Sequence, residues 1–564
     1  MFLKELKRRV SKFFPLYFVA LMIFRPKIFL QDFVYAIRDY YLFFKSLGYL
    51  PAPFVSETQS ILESEKGSLL IVFGYKQGLI WVHIWCFLGL LYKAGGKPVF
   101  CLTSKASKVQ NLYIRRCNFS FIFLEDLHFE TEELSNCVLE LVSALSSFSD
   151  FKKFEIDSIP FGKMALSTYS RLNASGVMDI GDVVAKNEVL LILVSLLKNR
   201  ISADKLYKKY DVSMVFFTEL FMEFYGPFYY SALAKNLNII RFAGTVRDDG
   251  IVVQHMTTDS DRTHFSSLSN ETMDCLKSST LSHEMEKELD QNFIDRYSDR
   301  WDLSSRNQIN AKIVEPDLIR QSFNIAESEK VAIIYSHILY DNLFFNGEYL
   351  FDNYAVWLVE SIKAACLNPN VQWFIKIHPS NLWRGELESY HKGKYEEVRL
   401  IDEHVGALPD HIRLIFPDTP FSPYSWLQVA DIGVTVTGTS GIELGALGKT
   451  VITGGTGRYE NVGFTINSNT SEEYLHRLSL AHQLRCPSYE QTVLAKKFAH
   501  MTFCMKPYSL DFVTPKPRTG KSRIFGVDDL AFTCSWDSDD ALPTSLSKFL
   551  KWSLDISSID FLTR

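Results

Sequence analysis

Short apolar runs that alternate with helical segments constrain this chain more than any other feature of its sequence. The run at 69–74 ends in a glycine, a helical segment follows at about 80–94, and a second apolar run occupies 98–102 after a glycine pair. Continuous apolar runs of this length are typical of parallel strands that are buried on both faces. The order of strand, helix, glycine break and strand predicts a βαβ unit and restricts the chain to α/β folds.

The same alternation continues along two separate parts of the chain. The first part adds strands at 119–124, 214–217 and 239–243, with helices at 188–198 and 226–236. After a polar interval, the second part contains strands at 331–335, 371–377, 412–416, 432–436 and 450–453, with helices at 354–365, 425–430 and 441–447. The sequence therefore predicts two Rossmann-like domains that face each other across a cleft, with ligands bound at the carboxyl ends of the strands.

Changes in composition predict where these domains begin and end, and a length of 564 residues suits two to four of them. We predict, in chain order, a basic and aromatic N-terminal helical segment (1–50), a first Rossmann-like domain (51–255), a polar helical connector (256–325), a second Rossmann-like domain (326–500), and a C-terminal tail that packs on the core (501–564).

Bulk composition narrows the class of protein. The formal net charge of −5 argues against a chain built to bind nucleic acid. Nine cysteines are scattered without a C-x-x-C pair, which favours a reduced, cytoplasmic compartment over a disulfide framework. No Asp-x-Asp pair follows a predicted strand, and neither a Walker lysine loop nor a dinucleotide G-x-G-x-x-G occurs. We therefore expect no metal and no cofactor.

The N-terminal residues combine basic and apolar side chains. Five basic residues within the first 12 precede a mostly apolar run at 13–24, and no small-x-small cleavage site follows. Twelve residues of helix span about 18 Å, less than the ~30 Å hydrocarbon core of a bilayer. Two interpretations stay open: a segment that lies peripherally on the anionic inner membrane, and a helix docked on the protein's own surface.

The segment from Thr437 to Glu443 carries the strongest candidate site. A predicted strand there enters a turn of small residues and then a helix that begins near Thr439, Ser440 and Gly441. Unpaired backbone N–H groups, the positive end of the helix dipole and hydroxyl groups converge at such a turn, which suits it to binding phosphate. Glu443 lies in the first helical turn, where a carboxylate could reach a ribose hydroxyl. The alternative is ordinary N-capping by Thr or Ser, with Glu443 in a capping box.

A second candidate follows the strand at 371–377. His378 comes directly after it, next to Lys376, and Pro379 stiffens the backbone that carries the imidazole. Such a ring is well placed to donate a hydrogen bond to a phosphate, and the alternative is a solvent-exposed loop histidine. Arg458 and Tyr459 follow the last predicted strand and could line the base or sugar of the donor.

A candidate general base lies in the stretch that runs from Arg247 through Asp248 and Asp249 to Gly250, shortly after the last strand predicted in the first domain. One carboxylate beside another can have a raised pKa and accept a proton. The alternative is a simple Asp-Gly turn, and Glu219 is a competitor for the role of base. Weaker candidates at other strand ends are the stretch 74–78 and the pairs Ser336-His337 and Tyr340-Asp341.

Residues 331–476 resemble the bacterial capsule polysaccharide biosynthesis family, which includes GT-B type glycosyltransferases that transfer the acidic sugar Kdo from its CMP form. The order and spacing of the matching segments are fairly specific. These segments are WFIKIHP (373–379), VADIGV (429–434), TGTSGIE (437–443), GKTVI (448–452) and RYENVGFT (458–465).

This resemblance implies an inverting, metal-independent glycosyltransferase of GT-B type. It would move a sugar, such as Kdo or another acidic sugar, from a CMP-linked donor to a growing capsular or surface polysaccharide or a lipid-linked glycan. The first domain would hold the acceptor. The stretch of Asp248, Asp249 and Gly250 is also similar to one that supplies the base in bacterial sialyltransferases. The donor would be held in the second domain by Lys376, His378, Pro379, Thr437, Thr439, Ser440, Gly441, Glu443 and Arg458.

Other functions stay open on the sequence alone. Gly438 and Thr439 stand where paired Ser or Thr is common in the family, so the hydroxyl that contacts phosphate is not identified. Teichoic acid polymerases that transfer a polyol phosphate from its CDP form carry a similar His-Pro and hydroxyl arrangement. A nucleotide-sugar-binding capsule assembly protein without turnover would need the same donor site. A sugar 2-epimerase has the same architecture, but the resemblance at 437–465 argues against it.

Overall fold

The computed structural model describes most of the chain. The described residues are 50–63, 66–74, 79–127, 140, 144–245, 247, 250–261, 263–297, 311–341, 343–381, 395–509, 513–515, 530–532 and 540–563. The basic and apolar N-terminal residues and both candidate carboxylates, Asp248 and Asp249, lie outside them. Within the described part of the chain, no helix is both long and apolar enough to cross a membrane.

Strands and helices alternate along the described residues. The strands are β1 (Ser68–Val72), β2 (Val99–Thr103), β3 (Ser120–Phe123), β4 (Val212–Phe217), β5 (Asn238–Gly244), β6 (Gly250–His255), β7 (Lys330–Tyr335), β8 (Val371–Lys376), β9 (Ile412–Ile415), β10 (Ile432–Thr435), β11 (Thr450–Thr453), β12 (Tyr508–Ser509), β13 (Val513–Pro515) and β14 (Leu530–Phe532).

The helices fall between these strands. They are α1 (Ala52–Leu62), α2 (Leu79–Ala94), α3 (Lys108–Arg116), α4 (Leu124–Leu127), α5 (Phe148–Lys153), α6 (Phe161–Asn173), α7 (Val183–Lys209), α8 (Gly226–Ala234), α9 (Asn270–Ser278), α10 (His283–Tyr297), α11 (Pro316–Ser322), α12 (Tyr354–Cys366), α13 (Glu396–His404), α14 (Pro423–Val429), α15 (Thr439–Ala446), α16 (Ser471–Ser479), α17 (Tyr489–His500) and α18 (Thr544–Leu554). A π-helical turn, Met501–Met505, continues α17.

Contacts divide the chain into two compact units, the first of which comprises the residues up to Phe123 and those between 510 and 551. In this unit β1, β2 and β3 pair in parallel, with Leu69 opposite Val99 and Phe100 opposite Ser120. The strands are apolar along their length because β1 and most of β2 are buried. β13 and β14 form an antiparallel pair.

The second unit comprises residues 124–509 and those from 552 onward. One of its sheets contains β4 and β5 in parallel, followed by β6 and β12 in antiparallel pairing. The last residues of the chain pack beside β6. Trp552 lies 4.2 Å from the ring of His255, and buried Lys506 forms an ion pair with Asp560 at 2.7 Å.

The other sheet of the second unit is entirely parallel and has the strand order β11, β10, β7, β8, β9. Its strands are nearly continuous apolar runs because helices cover them. On one face Phe374 of β8 contacts Trp426 of α14 at 5.3 Å between ring centroids. The chain proceeds from β7 outward through β8 and β9, then returns to the other side of β7 for β10 and β11. This reversal between β7 and β10 is where doubly wound sheets bind ligands.

The structure confirms the predicted fold class, α/β of GT-B type with two Rossmann-like domains, since the parallel βα alternation occurs once over 68–244 and again over 330–453. One sequence interpretation was wrong: the strand at 239–243 is not the last of its sheet, because β6 follows it in antiparallel pairing. The pattern of β6 was hard to recognise since its buried end consists of Gln254 and His255. The domain boundaries at 50, 255, 325 and 500 stay predictions.

Candidate phosphate-binding site

The candidate site lies where β7, β8 and β10 end side by side in the parallel sheet. His337 follows β7, His378 follows β8, and the turn that begins at Thr435 follows β10. Since these strands are neighbours and run parallel, their carboxyl ends meet at one edge of the sheet. The reversal in strand order between β7 and β10 places this edge at the usual ligand position of the fold.

The turn after β10 presents the start of α15 without a side-chain cap. Gly438 is the N-cap residue, and no side chain accepts a hydrogen bond from the first turn there. The alternative of a Ser or Thr cap with a capping box at Glu443 is therefore not what the structure contains. Thr439 and Ser440 occupy the first helical positions and are partly accessible. Their N–H groups lack intrahelical acceptors, as is general for the first turn of a helix, and they point toward the positive end of its dipole.

Arg458 holds this turn from the side. Its Nη1 donates to the carbonyl oxygen of Thr437 at 2.9 Å and to Oγ1 of Thr439 at 3.1 Å. The side chain is buried, and its Nε has no hydrogen-bond partner among the described residues. Burial lowers the pKa of Arg458 to about 10, so the guanidinium stays charged at neutral pH. A positive charge with a spare donor therefore lies directly beside the phosphate-binding turn.

Tyr459 and Gly441 explain why the helix start is built from small residues. The Tyr459 hydroxyl donates to the Gly438 carbonyl at 2.7 Å, and a Cβ at position 441 would lie 2.1 Å from that hydroxyl oxygen. A larger residue at 441 would push the tyrosine away. Glu460 in turn accepts the backbone N–H groups of 457, 458 and 459. Close packing against Tyr459 thus requires glycine at 441, and the predicted contact of Gly441 with the donor stays a prediction.

His337 is a site residue that the sequence analysis ranked only as a weak candidate. Its Nε2 accepts the backbone N–H of Val436 at 3.1 Å, and its ring stacks on Tyr354 at 4.3 Å. A backbone N–H can only donate, so Nε2 carries no proton and the neutral ring has its proton on Nδ1. Burial, then the proximity of His378 and Arg458, lowers the pKa of His337 to about 3. The ring is a neutral N–H donor across the physiological range.

His378 is fixed in the same way. Its Nδ1 accepts the backbone N–H of Ser380 at 3.2 Å and lies 2.8 Å from that residue's Oγ. Nε2 therefore carries the proton of the neutral ring and is its donor. The ring is partly accessible, as a group that contacts a ligand must be.

Glu397, which no sequence pattern indicated, buttresses the loop that carries His378. Its buried carboxylate accepts hydrogen bonds from Ser336 Oγ at 3.0 Å and from Asn381 Nδ2 at 3.1 Å. Burial raises the pKa of Glu397 to about 7, against the hydrogen bonds it accepts. Since its partners lie on the loops after β7 and β8, this carboxyl group fixes the two loops relative to each other.

Lys376 lies at the end of β8 and is only 4% exposed. Its Nζ has no hydrogen-bond partner among the described residues, and burial lowers its pKa to about 8. Phe374 and Tyr335 share its face of the sheet, since Tyr335 is opposite Lys376 in the register. The lysine is thus an amine held beneath the site, and its predicted role toward the donor stays a prediction.

Glu443 is placed differently from what its position in the first helical turn suggested. The carboxylate is buried, forms an ion pair with Arg296 at 2.9 Å and accepts a hydrogen bond from the Tyr297 hydroxyl at 2.6 Å. Both partners lie at the end of α10. Burial raises the pKa of Glu443, while Arg296 and Tyr297 oppose that shift. This carboxylate anchors α10 to α15, and the ribose contact stays a prediction.

The competing bases are placed as follows. Glu219 forms an ion pair with Arg171 at 3.5 Å, and Arg171 also pairs with Asp341. Asp248 and Asp249 lie outside the described residues, between the described Arg247 and the start of β6. Arg247 donates to Ser509 Oγ at 3.1 Å, which fastens this connection to β12. The role of the two aspartates as base stays a prediction.

The groups around the turn are donors apart from His337, whose Nε2 accepts the N–H of Val436. The guanidinium of Arg458 and the first-turn N–H groups of α15 suit a phosphate oxygen, and the Nε2–H of His378 suits one at the same edge of the sheet. Within the described ranges, no cluster of three or more His, Cys, Asp or Glu side chains could hold a metal ion. The expectations of no metal and no cofactor stay predictions.

The lowered pKa of His337 leads to a testable pH dependence of stability. The pKa of His337 in the folded protein lies below its unfolded value of about 6.5. The contribution of His337 to the free energy of unfolding is therefore complete above pH 6.5 and is lost as the pH falls toward 3. The difference in unfolding free energy between wild type and His337→Gln should therefore shrink by up to about 1.4 kcal/mol per pH unit between pH 6 and pH 4. Denaturant titrations at several pH values measure it.

The exposed His476 supplies the control for that measurement. His476→Gln should change the free energy of unfolding little, because this side chain is exposed on α16, and it controls for the loss of a histidine as such. Histidine NMR adds a direct readout, in which His337 should remain neutral with its proton on Nδ1 at pH 5. A His337 ring that titrates near pH 6.5 would contradict its lowered pKa, and a proton on Nε2 of the neutral ring would contradict the assigned tautomer.

Comparisons with known proteins give a consistent but loose picture. No protein-family model matches the chain, and no curated protein matches it. Among solved structures, the Thermosulfurimonas dismutans KpsC β-Kdo 2,4 transferase is 16% identical and aligns over 53% of this chain and 82% of its own, with a TM-score of 0.32. The UDP-GlcNAc 2-epimerase from Neisseria meningitidis bound to UDP-GlcNAc is 11% identical and aligns over 77% and 94%, with a TM-score of 0.24.

A third solved structure, Acinetobacter baumannii MurG, is 10% identical and aligns over 77% of this chain and 95% of its own, with a TM-score of 0.27. With TM-scores of 0.32 or less, these likenesses do not select a reaction for this chain. The function is therefore argued from the geometry of the site.

Proposed function

We propose that this chain is a glycosyltransferase that moves a sugar from a nucleotide donor to a growing capsular or surface polysaccharide. The sugar is an acidic one such as Kdo, and the donor is its CMP-linked form. The observation that carries the proposal is the uncapped start of α15, where Arg458 donates to Thr439 Oγ1 and His337 lies against the preceding turn, while His378 follows β8 at the same edge of the sheet. Such a set of donors suits the phosphate of a departing nucleotide. The motif resemblance at 331–476 supports the choice of CMP and of a capsule-type acceptor.

In this proposal the reaction is an inverting displacement. The acceptor hydroxyl oxygen forms a bond to the anomeric carbon while the bond from that carbon to the donor phosphate breaks, and the nucleotide leaves with the electron pair. A carboxylate, for which Asp248 and Asp249 are the candidates, takes the hydroxyl proton. Donation by His378, Arg458 and the first turn of α15 stabilises the charge that develops on the leaving phosphate, in the role that a metal ion has in other transferases.

The proposed location is the cytoplasm, with peripheral contact to the inner membrane through the N-terminal segment. The cysteines lack a framework pattern, and five basic residues precede the apolar run at 13–24. A lipid-linked acceptor would be presented at that membrane surface.

Nucleotide binding is the first test of the proposed function. CMP at a hundredfold excess over its dissociation constant should stabilise the protein by about 2.7 kcal/mol, and UDP should stabilise it less. The double variant Thr439→Val with Ser440→Ala should lose most of this protection, since both side chains lie at the start of α15. Thermal melts with CMP, CDP and UDP measure it, and Ser471→Ala at the start of α16 is the control.

The outcomes separate the candidate functions. If none of the three nucleotides raises the melting temperature, the proposed function is contradicted. Stronger protection by CDP, with polyol phosphate transfer, would favour the teichoic-type phosphotransferase. Donor binding without transfer or hydrolysis, in the presence of lipid-linked acceptor, would favour a binding protein of the capsule assembly.

A further inference from the structure

Arg241 is a buried cation that has no anionic partner among the described residues. It lies in β5, opposite Phe217 of β4 and Gln254 of β6, and it is 4% exposed. Neither its Nε nor its Nη1 has a hydrogen-bond partner among the described residues. A buried charge normally pairs with an opposite charge, because removing it from water is costly. The bare guanidinium therefore calls for an explanation.

The nearest acidic side chains make contacts elsewhere. Glu219 and Asp261 both act electrostatically on Arg241. Glu219 pairs with Arg171, and Asp261 accepts hydrogen bonds from the hydroxyls of Tyr229 at 3.0 Å and Tyr230 at 3.3 Å. Neither carboxylate forms an ion pair with Arg241 in the described structure. The fold supplies a negative environment near the guanidinium but no direct ligand.

Aromatic rings position the guanidinium instead. Its central carbon lies 5.7 Å from the centroid of Phe221 and 5.6 Å from that of Phe265. Phe221 is itself stacked on Phe345, with the rings 4.2 Å apart and nearly parallel. Contact with aromatic faces fixes the plane of an arginine without using its N–H groups. The in-plane donors are left for a planar or tetrahedral oxyanion, which they bind in a bidentate fashion.

His264 connects this cation to the candidate phosphate site. Its backbone N–H donates to the carbonyl of Gly457, next to Arg458, and its ring lies 4.1 Å from that of its neighbour Phe265. The charges of Arg458 and Arg241 both act on the His264 ring. Its Nδ1 accepts the N–H of Ser266 at 3.1 Å, so the neutral ring is a donor at Nε2. His264 is thus close enough to both guanidinium groups to feel their charge.

We propose that Arg241 binds a second anionic group of the substrate, a carboxylate or a phosphate, at a subsite adjacent to the phosphate-binding turn. The anion completes the coordination of a guanidinium whose Nε and Nη1 have no acceptor among the described residues, and His264 Nε2 is a further donor nearby. Two sources carry this chemistry: the carboxylate of an acidic sugar on the donor, and the phosphate of a lipid-linked acceptor. The inference rests on the proposed function for its choice of probes, and Arg241 explains why an acidic substrate would be selected.

The test compares matched pairs of probes by calorimetry. The first pair is CMP-Kdo or CMP-N-acetylneuraminate against CMP, and the second is farnesyl phosphate against farnesol. Wild type should bind the anionic member of at least one pair tenfold or more tightly than its partner. Arg241→Met should abolish that preference while leaving the affinity for CMP unchanged. Arg241→Lys should restore only part of it, because an ammonium lacks the bidentate fork.

Stability separates binding from a structural role. Because Arg241 is unpaired, Arg241→Met should melt at the same temperature as wild type or higher, whereas Arg320→Met, which breaks a pair with Asp431, is the control for loss of an arginine. The proposal is overturned if wild type shows no preference in either pair, or if Arg241→Met keeps the preference. Failure of CMP to bind wild type contradicts the proposed function instead. The comparison of farnesyl phosphate with farnesol then tests anion binding by Arg241 independently of the nucleotide.

Discussion

Replacing His378 with alanine should lower turnover by at least tenfold and, by analogy with loss of one oxyanion donor, on the order of 10² to 10³-fold. The physical reason is that His378 Nε2 is the N–H donor whose geometry is fixed by the bond from the Ser380 backbone to Nδ1. Without the ring, the leaving phosphate loses one of its donors where negative charge develops. Steady-state kinetics with a nucleotide-sugar donor and glycan acceptor measure the effect.

Matched variants make this result specific. In His378→Asn the shorter amide can still accept the Ser380 N–H but cannot extend a donor to the position of Nε2, so its turnover should be as low as that of His378→Ala. Ser380→Ala removes the hydroxyl 2.8 Å from Nδ1 but keeps the ring, and it should retain most activity. The ring is partly accessible, so the melting temperature should change little. Wild-type turnover in His378→Ala would refute its assignment to the donor site.

The largest loss is expected when the general base is removed. If Asp248 or Asp249 takes the proton of the acceptor hydroxyl, changing that residue to Asn should lower turnover by about 10² to 10⁴-fold, the usual contribution of a positioned base. The isosteric amide keeps the shape and polarity of the side chain but cannot accept the proton. Donor binding should be unaffected, because the candidate phosphate site is formed by other elements. Single-turnover assays of each variant, with the affinity for CMP measured in parallel, provide the test.

Glu219→Gln is the matched control for that test. Glu219 also follows a strand of the first domain, but its carboxylate is paired with Arg171, so its removal should have a smaller effect on turnover. If Asp248→Asn and Asp249→Asn each keep more than about a tenth of wild-type turnover, the loss is under ~1.4 kcal/mol. That is too small for a missing base, and the Asp-Gly pair would then be only a turn.

The strands of the entirely parallel sheet, β7 to β11, could be predicted closely from the sequence alone. β11 matches the predicted 450–453, and β7, β8 and β10 each end within one residue of their predicted ends. The reason is that a buried parallel strand must be apolar along its length, and a turn must follow it, so both signals are local. The same local signals located His378, Thr439 and Ser440 at strand ends and at a helix start.

Other parts of the site could not be predicted because they depend on residues far apart in the chain. His337 and Thr435 are 98 positions apart, and only the pairing of β7 with β10 brings the imidazole to the turn. The same holds for Glu443, whose position in the first turn of α15 suggested a ribose contact but gave no sign of its pairing with Arg296 and Tyr297. A helix position does not reveal which partner a distant helix supplies.

By itself, then, the sequence determined the order of strands and helices, the α/β class and the positions where polar residues follow strands, since each depends on neighbours along the chain. The tertiary structure decided which strand ends meet, which nitrogen of each histidine accepts a hydrogen bond, and which charges are left unpaired. Arg241 is the clearest case, because in the sequence it is one polar residue within an apolar run. Only the packing of Phe221 and Phe265 around it makes it a buried cation without a partner.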